Sequence, residues 1–100
     1  MNDCCLHLLC PLAVEERALD ALLTLGGAGV FTSTPAHAHG FAHGRLSPAE
    51  QVTGRSEANL IQVLLPSDGL EALLDRLRLE LPKAGVRYWV TPVCGQGELL

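Results

Sequence analysis

One hundred residues is the length of a single domain, and at 48% hydrophobic but only 4% aromatic its core must be built from Leu, Val and Ala. A formal charge of −4, with seven scattered Lys and Arg, excludes the clustered cations that a nucleic-acid backbone or an anionic membrane surface requires. No apolar run reaches the length of a membrane span.

Four cysteines occur: Cys4, Cys5, Cys10 and Cys94. Adjacent Cys4 and Cys5 point to opposite faces of a strand, which is poor geometry for a disulfide framework. The apolar N-terminal run is short, has no basic leader and is broken by Pro11, so no signal peptide is expected. The reading is a cytoplasmic protein with free thiols.

Cys4 to Cys10 fits a first strand. Cys4, Leu6, Leu8 and Cys10 fall on one face, and Cys5, His7 and Leu9 on the other. Both faces are largely apolar, which predicts an interior strand covered twice. Val14 to Leu25 has helical periodicity, with Val14, Ala18, Ala21, Leu22 and Leu25 on one stripe. Glu15 and Glu16 favour its N-terminal dipole end, and Gly26 and Gly27 terminate it.

Gly29 to Pro35 predicts a second strand, because Val30, Phe31, Thr32 and Thr34 suit a pleated surface. A long loop from Ala36 to Arg55 follows, carrying His37, His39 and His43. Within it, Ser47-Pro48-Ala49-Glu50 has the pattern of a helix start and predicts one short turn. Glu57 to Leu65 predicts a third strand, stopped by Pro66. A second helix begins with Ser67 as its cap and carries Leu70, Leu73, Leu74, Leu77 and Leu81 on one stripe. Val86 to Val93 predicts the fourth strand.

The order β-α-β-β-α-β predicts an α+β fold of the ferredoxin-like kind, a four-stranded antiparallel sheet with both helices on one face. The whole chain, 1–100, then forms one domain. Its open sheet face carries Cys5, His7, Leu9, Leu60, Gln62, Leu64 and Trp89, a set too apolar for solvent. This predicts self-association as a homotrimer, and a dimer also covers the face.

Gly29-Val30-Phe31-Thr32-Ser33 resembles the strand that leads into the T-loop of the PII signalling proteins. Gly54-Arg55-Ser56-Glu57 resembles its return, and Tyr88-Trp89-Val90-Thr91-Pro92-Val93 the last strand. With the histidine loop and Ser47-Pro48-Ala49-Glu50-Gln51-Val52-Thr53-Gly54-Arg55, nearly the whole chain resembles a short bacterial PII-like family of unassigned function in the PII/CutA-like superfamily. Members of that family are often associated with heavy-metal efflux systems. The resemblance implies a trimeric regulatory protein without catalysis, acting through the loop on a membrane transporter or another protein partner. It makes Phe41, Arg45, Glu50 and Arg55 effector-loop residues. Where PII proteins carry glycines at the loop base, this chain has His37 and His39. Lys83-Ala84-Gly85-Val86-Arg87 replaces their Gly-Asp-Gly-Lys segment. Nucleotide binding is therefore not expected.

The loop has its own chemistry. Imidazole is a common ligand for Zn, Cu, Ni and Co. His37 and His39 share a face in extended chain, and Gly40 lets the backbone turn so that His43 can join them. No acidic residue lies between Ala36 and Ala49, so an ion held there would see nitrogen rather than a hard oxygen cage. The competing reading is three solvated histidines in a partner-facing loop. Catalysis is the weakest class. Cys5 and His7 project the same way from one strand with no third group to orient them, and no paired carboxylates stand out.

Overall fold

The structure, a computed structural model, describes residues 2–25, 29–40, 48–49 and 55–100. Strand β1 (Asp3–Pro11) leads through a 3-10 turn at Leu12–Val14 into α1 (Glu15–Thr24). Strands β2 (Phe31–Ala38) and β3 (Ser56–Pro66) follow, then a 3-10 turn at Ser67–Gly69, α2 (Leu70–Glu80) and β4 (Arg87–Val93). The sheet order is β2-β3-β1-β4 and every pairing is antiparallel. This is the ferredoxin-like α+β arrangement expected from the order of elements.

The alternation of β1 and β3 decides the layering. Cys4 pairs with Leu65, Leu6 with Val63 and Leu8 with Ile61, so one face is continuously apolar. These residues are buried together with Val14, Ala18, Ala21 and Leu22 from the first helical segment and Leu73, Leu74 and Leu77 from α2. Leu6, Ile61 and Val63 are completely buried, and truncating one such side chain to Ala costs about 2–5 kcal/mol. Cys4 and Cys10 belong to this core as small apolar residues, as the alternation predicts.

Among the described residues, no helix packs on the opposite face. There Cys5 faces Leu64 and Thr91, His7 faces Gln62 and Trp89, and Leu9 faces Leu60 and Arg87. Cys5 is buried while His7, Leu9, Leu60, Gln62 and Leu64 are only half-buried. The edge strand β4 is the least covered. Tyr88 is 48% exposed, Trp89 44% and Val90 38%, so apolar side chains reach solvent on both of its faces.

Several element ends differ from the sequence reading. Strand β2 starts at Phe31 but runs through Pro35 to Ala38, where Ala38 pairs with Ser56. Pro35 is tolerated because β2 is an edge strand and can leave a missing donor facing outward. The loop start expected at Ala36 is therefore strand, and His37 stands in the ladder. Ser67 does not cap α2 through its side chain. Its backbone N–H instead donates to Asn2 O at 2.9 Å, and a 3-10 turn lies between it and the helix. Helix α1 ends with the Leu25 N–H bonded to Ala21 O, and Gly26 and Gly27 lie outside the described residues.

Candidate functional site

The β2–β3 hairpin presents the segment between Ala38 and Ser56, and its ladder stays paired up to that last rung. On the rung before, His37 and Glu57 are partners, and His37 Nδ1 lies 3.3 Å from Glu57 Oε1. Both side chains are about half exposed, so the contact orients more than it stabilises. With the carboxylate at Nδ1, Nε2 is the ring nitrogen left for a ligand, and metal-binding histidines usually carry such a carboxylate on their other nitrogen. His39 follows β2 and is exposed. Gly40 then takes φ +87, a left-handed conformation that a side chain would strain, as a turn after His39 requires.

Arg55 is described and exposed at the other end of the segment. Pro48 and Ala49 are helical, in line with the short turn expected there. Phe41, His43, Arg45 and Glu50 lie outside the described residues, so the grouping of His37, His39 and His43 falls partly outside them. Among the described residues, no group of three or more His, Cys, Asp or Glu side chains is placed to hold a metal ion.

A second cluster sits beneath the hairpin base, on the helix side of the sheet. Asn59 faces Cys10 on β1 and Pro35 on β2. Its Nδ2 donates to Glu15 Oε1 at 2.7 Å, which ties the first turn of α1 to the sheet. Asn59 Oδ1 on this side and Ser56 Oγ on the opposite face are buried without a hydrogen-bond partner among the described residues. Burial pushes the Cys10 thiol up to about 11, and the nearby Glu15 carboxylate adds to the rise. The sequence carried one signal for this cluster: Asn59 interrupts the apolar alternation of Ile61, Val63 and Leu65.

The helix-free face has its own pairing. The His7 and Trp89 rings stack with centroids 5.3 Å apart and planes 7° from parallel. His7 Nε2 lies 3.0 Å from Thr91 Oγ1. Burial also raises the Cys5 thiol, with a further contribution from neighbouring Cys4. An activated nucleophile would need the opposite shift.

The profile of the DUF3240 family, described as a protein of unknown function, matches residues 1–100. No curated protein matches the chain. Among solved structures, the chain is similar to a DUF3240 family protein from Shewanella baltica, with TM-score 0.82 and 20% identity over 100% of this chain and 99% of that one. It is similar to the periplasmic divalent cation tolerance protein CutA from Archaeoglobus fulgidus, with TM-score 0.71 and 13% identity over 96% and 88%. It is also similar to CPII from Thiomonas intermedia, a nitrogen regulatory PII-like protein bound to ADP, AMP and bicarbonate, with TM-score 0.69 and 18% identity over 98% of both chains. At these identities the likeness establishes the PII/CutA-like fold.

Proposed function

The chain belongs to the DUF3240 family, and we propose that it is a PII-like small regulatory protein that acts on a partner protein through the segment between β2 and β3, in heavy-metal homeostasis. The observation that supports this is the hairpin: a ladder paired to Ala38 and Ser56 presents 17 intervening residues, 39–55, from a rigid base. Binding functions are commonly carried by long connections on rigid scaffolds. The protein acts without catalysis and without nucleotide, in the cytoplasm, as a homotrimer whose helix-free faces pack together. Leu9, Leu60, Leu64 and Trp89 supply the apolar surface that favours such packing. Among the described residues, no helix is long and apolar enough to cross a membrane.

Complementation tests this reading. A strain lacking the chain is challenged with Zn, Cu, Ni and Co salts and supplied with wild type or with a variant whose residues 41–54 are replaced by a short Gly-Ser linker. Restored tolerance with wild type alone supports an effector segment. Equal restoration by the shortened variant rejects it.

A second reading rests on His37 and Glu57. A carboxylate-oriented imidazole supports a transition-metal accessory or sensor protein that uses His37, His39 and His43. Zn(II), Cu(II), Ni(II) and Co(II) are titrated into wild type and into the His37→Ala, His39→Ala, His43→Ala triple variant. Binding that survives the triple substitution removes this reading.

A further inference from the structure

A cavity of about 430 Å³ opens between the start of β1, the end of β4 and the turn that begins α2. Asn2, Asp3, Cys4, Ser67, Pro92 and Cys94 contribute to its wall. The N–H of Ser67 bonded to Asn2 O closes one side. Two of the four cysteines therefore line one space, although they stand 90 positions apart in the chain.

The strand register accounts for the meeting. Cys4 sits opposite Pro92 in the β1–β4 ladder, and Cys94 comes two residues after Pro92. Val93 is the last residue of β4, so Cys94 stands just past the end of that ladder and lines the cavity that Cys4 also lines. Both cysteines are free. Two thiolates that share an ion stand about 4.6 Å apart for metal–sulfur bonds of about 2.3 Å. Cys4 is held rigidly in the core, whereas Cys94 is exposed at the cavity mouth.

We infer that Cys4 and Cys94 form a two-thiolate site for a soft, low-coordinate ion of the Cu(I) type. The wall chemistry selects the ion. Among the described residues of the wall Asp3 is the one carboxylate, too little for a hard cation that needs six or more oxygens. Tetrahedral Zn(II) needs more donors than the wall offers, and no group of three or more donor side chains is found among the described residues. Soft thiolates favour Cu(I). The rest of the wall includes Val90, Pro92 and Val93, which offer no competing side-chain ligand. On binding, both S–H bonds give their protons to solvent and two S–Cu bonds form, with copper entering and remaining as Cu(I).

The test is anaerobic titration of the full-length protein with Cu(I), read by thiolate-to-copper charge-transfer absorption and by competition with a chromogenic Cu(I) chelator. Wild type binds one ion per chain. Cys94→Ser and Cys4→Ala each lower the affinity at least 100-fold, and circular dichroism verifies that each variant is folded. Cys94→Ser alters an exposed position, so its result stands even where Cys4→Ala fails to fold. In the His37→Ala, His39→Ala, His43→Ala triple variant the thiolate-to-copper absorption persists, which separates this site from the one supposed in the hairpin segment, whose imidazole ligands give no such band. Iodoacetamide labelling of Cys94 slows when the ion is bound. Wild-type affinity in Cys94→Ser, one ion shared between chains, or labelling unaffected by copper each overturns the assignment.

Discussion

His37 Nδ1 and Glu57 Oε1 lie 3.3 Å apart across a rung of the β2–β3 ladder, one rung before the hairpin strands separate. Both are half exposed, so Glu57→Gln changes unfolding free energy by less than about 1 kcal/mol in urea titrations. On the reading of the hairpin histidines as metal ligands, the same substitution is expected to weaken Zn(II) binding by more than this. Removing an orienting carboxylate typically lowers metal affinity about 10–100-fold, and isothermal titration with Zn(II) reads the difference. A Glu57→Gln protein that binds Zn(II) as wild type does leaves the hairpin histidines without a metal role.

The helix-free face predicts assembly. Leu60 lies at its centre, opposite Leu9 on β1 and Thr34 on β2. Leu60→Asp places a charge where packed subunits exclude water, and an unpaired buried charge is not tolerated. Sedimentation equilibrium is expected to give three times the chain mass for wild type and a monomer for Leu60→Asp. The isolated subunit keeps its fold because the helix-side core is untouched. A wild-type monomer at micromolar concentration, or a Leu60→Asp trimer, contradicts packing through this face.

The same alternation made most of the fold legible in the sequence. Cys4, Leu6, Leu8, Ile61, Val63 and Leu65 form one apolar set, and strand period and helix period could be told apart by counting. The base of the histidine segment was not legible to the residue. Pro35 reads as a strand end, but an edge position lets the ladder continue past it to Ala38. The Asn59–Glu15 bond and the Cys4–Cys94 cavity were not readable either. Both join residues far apart in sequence, and only the strand register brings them together.

Asn59 offers a test of that buried polar contact. Asn59→Asp replaces an amide donor with a second carboxylate beside Glu15, in a position only 4% exposed. One uncompensated buried charge costs about 3–5 kcal/mol. Two adjacent carboxylates hold each other's protons, so the folded-state pKa values of the pair rise. A raised carboxyl pKa means stability is retained at low pH and lost as pH rises through the unfolded carboxylate range. Urea midpoints therefore fall for Asn59→Asp at pH 7 and partly recover at pH 4, relative to wild type at each pH. A variant equally destabilised at both values would indicate a packing defect rather than charge repulsion.

Cys10 makes the opposite end of the pH scale informative. Its side chain is completely buried, and burial followed by Glu15 raises the thiol from near 9 to about 11. The folded chain keeps this proton after the unfolded chain has released it. Between those values the unfolded state binds fewer protons, so stability is fully present below about pH 9 and declines as pH rises toward 11. The loss attributable to this one group is on the order of 2 kcal/mol. Other groups titrate in the same range, so the comparison is with Cys10→Ala, which removes the ionisation and loses some packing. Wild type starts more stable at pH 8, and the gap narrows steadily from pH 9 to 11. A constant gap across that range would mean that the thiol ionises equally easily in both states. In the native protein at pH 8, a thiol-specific reagent then modifies Cys94 rapidly and Cys10 only on unfolding, because the reactive species is the thiolate and Cys94 is the exposed cysteine.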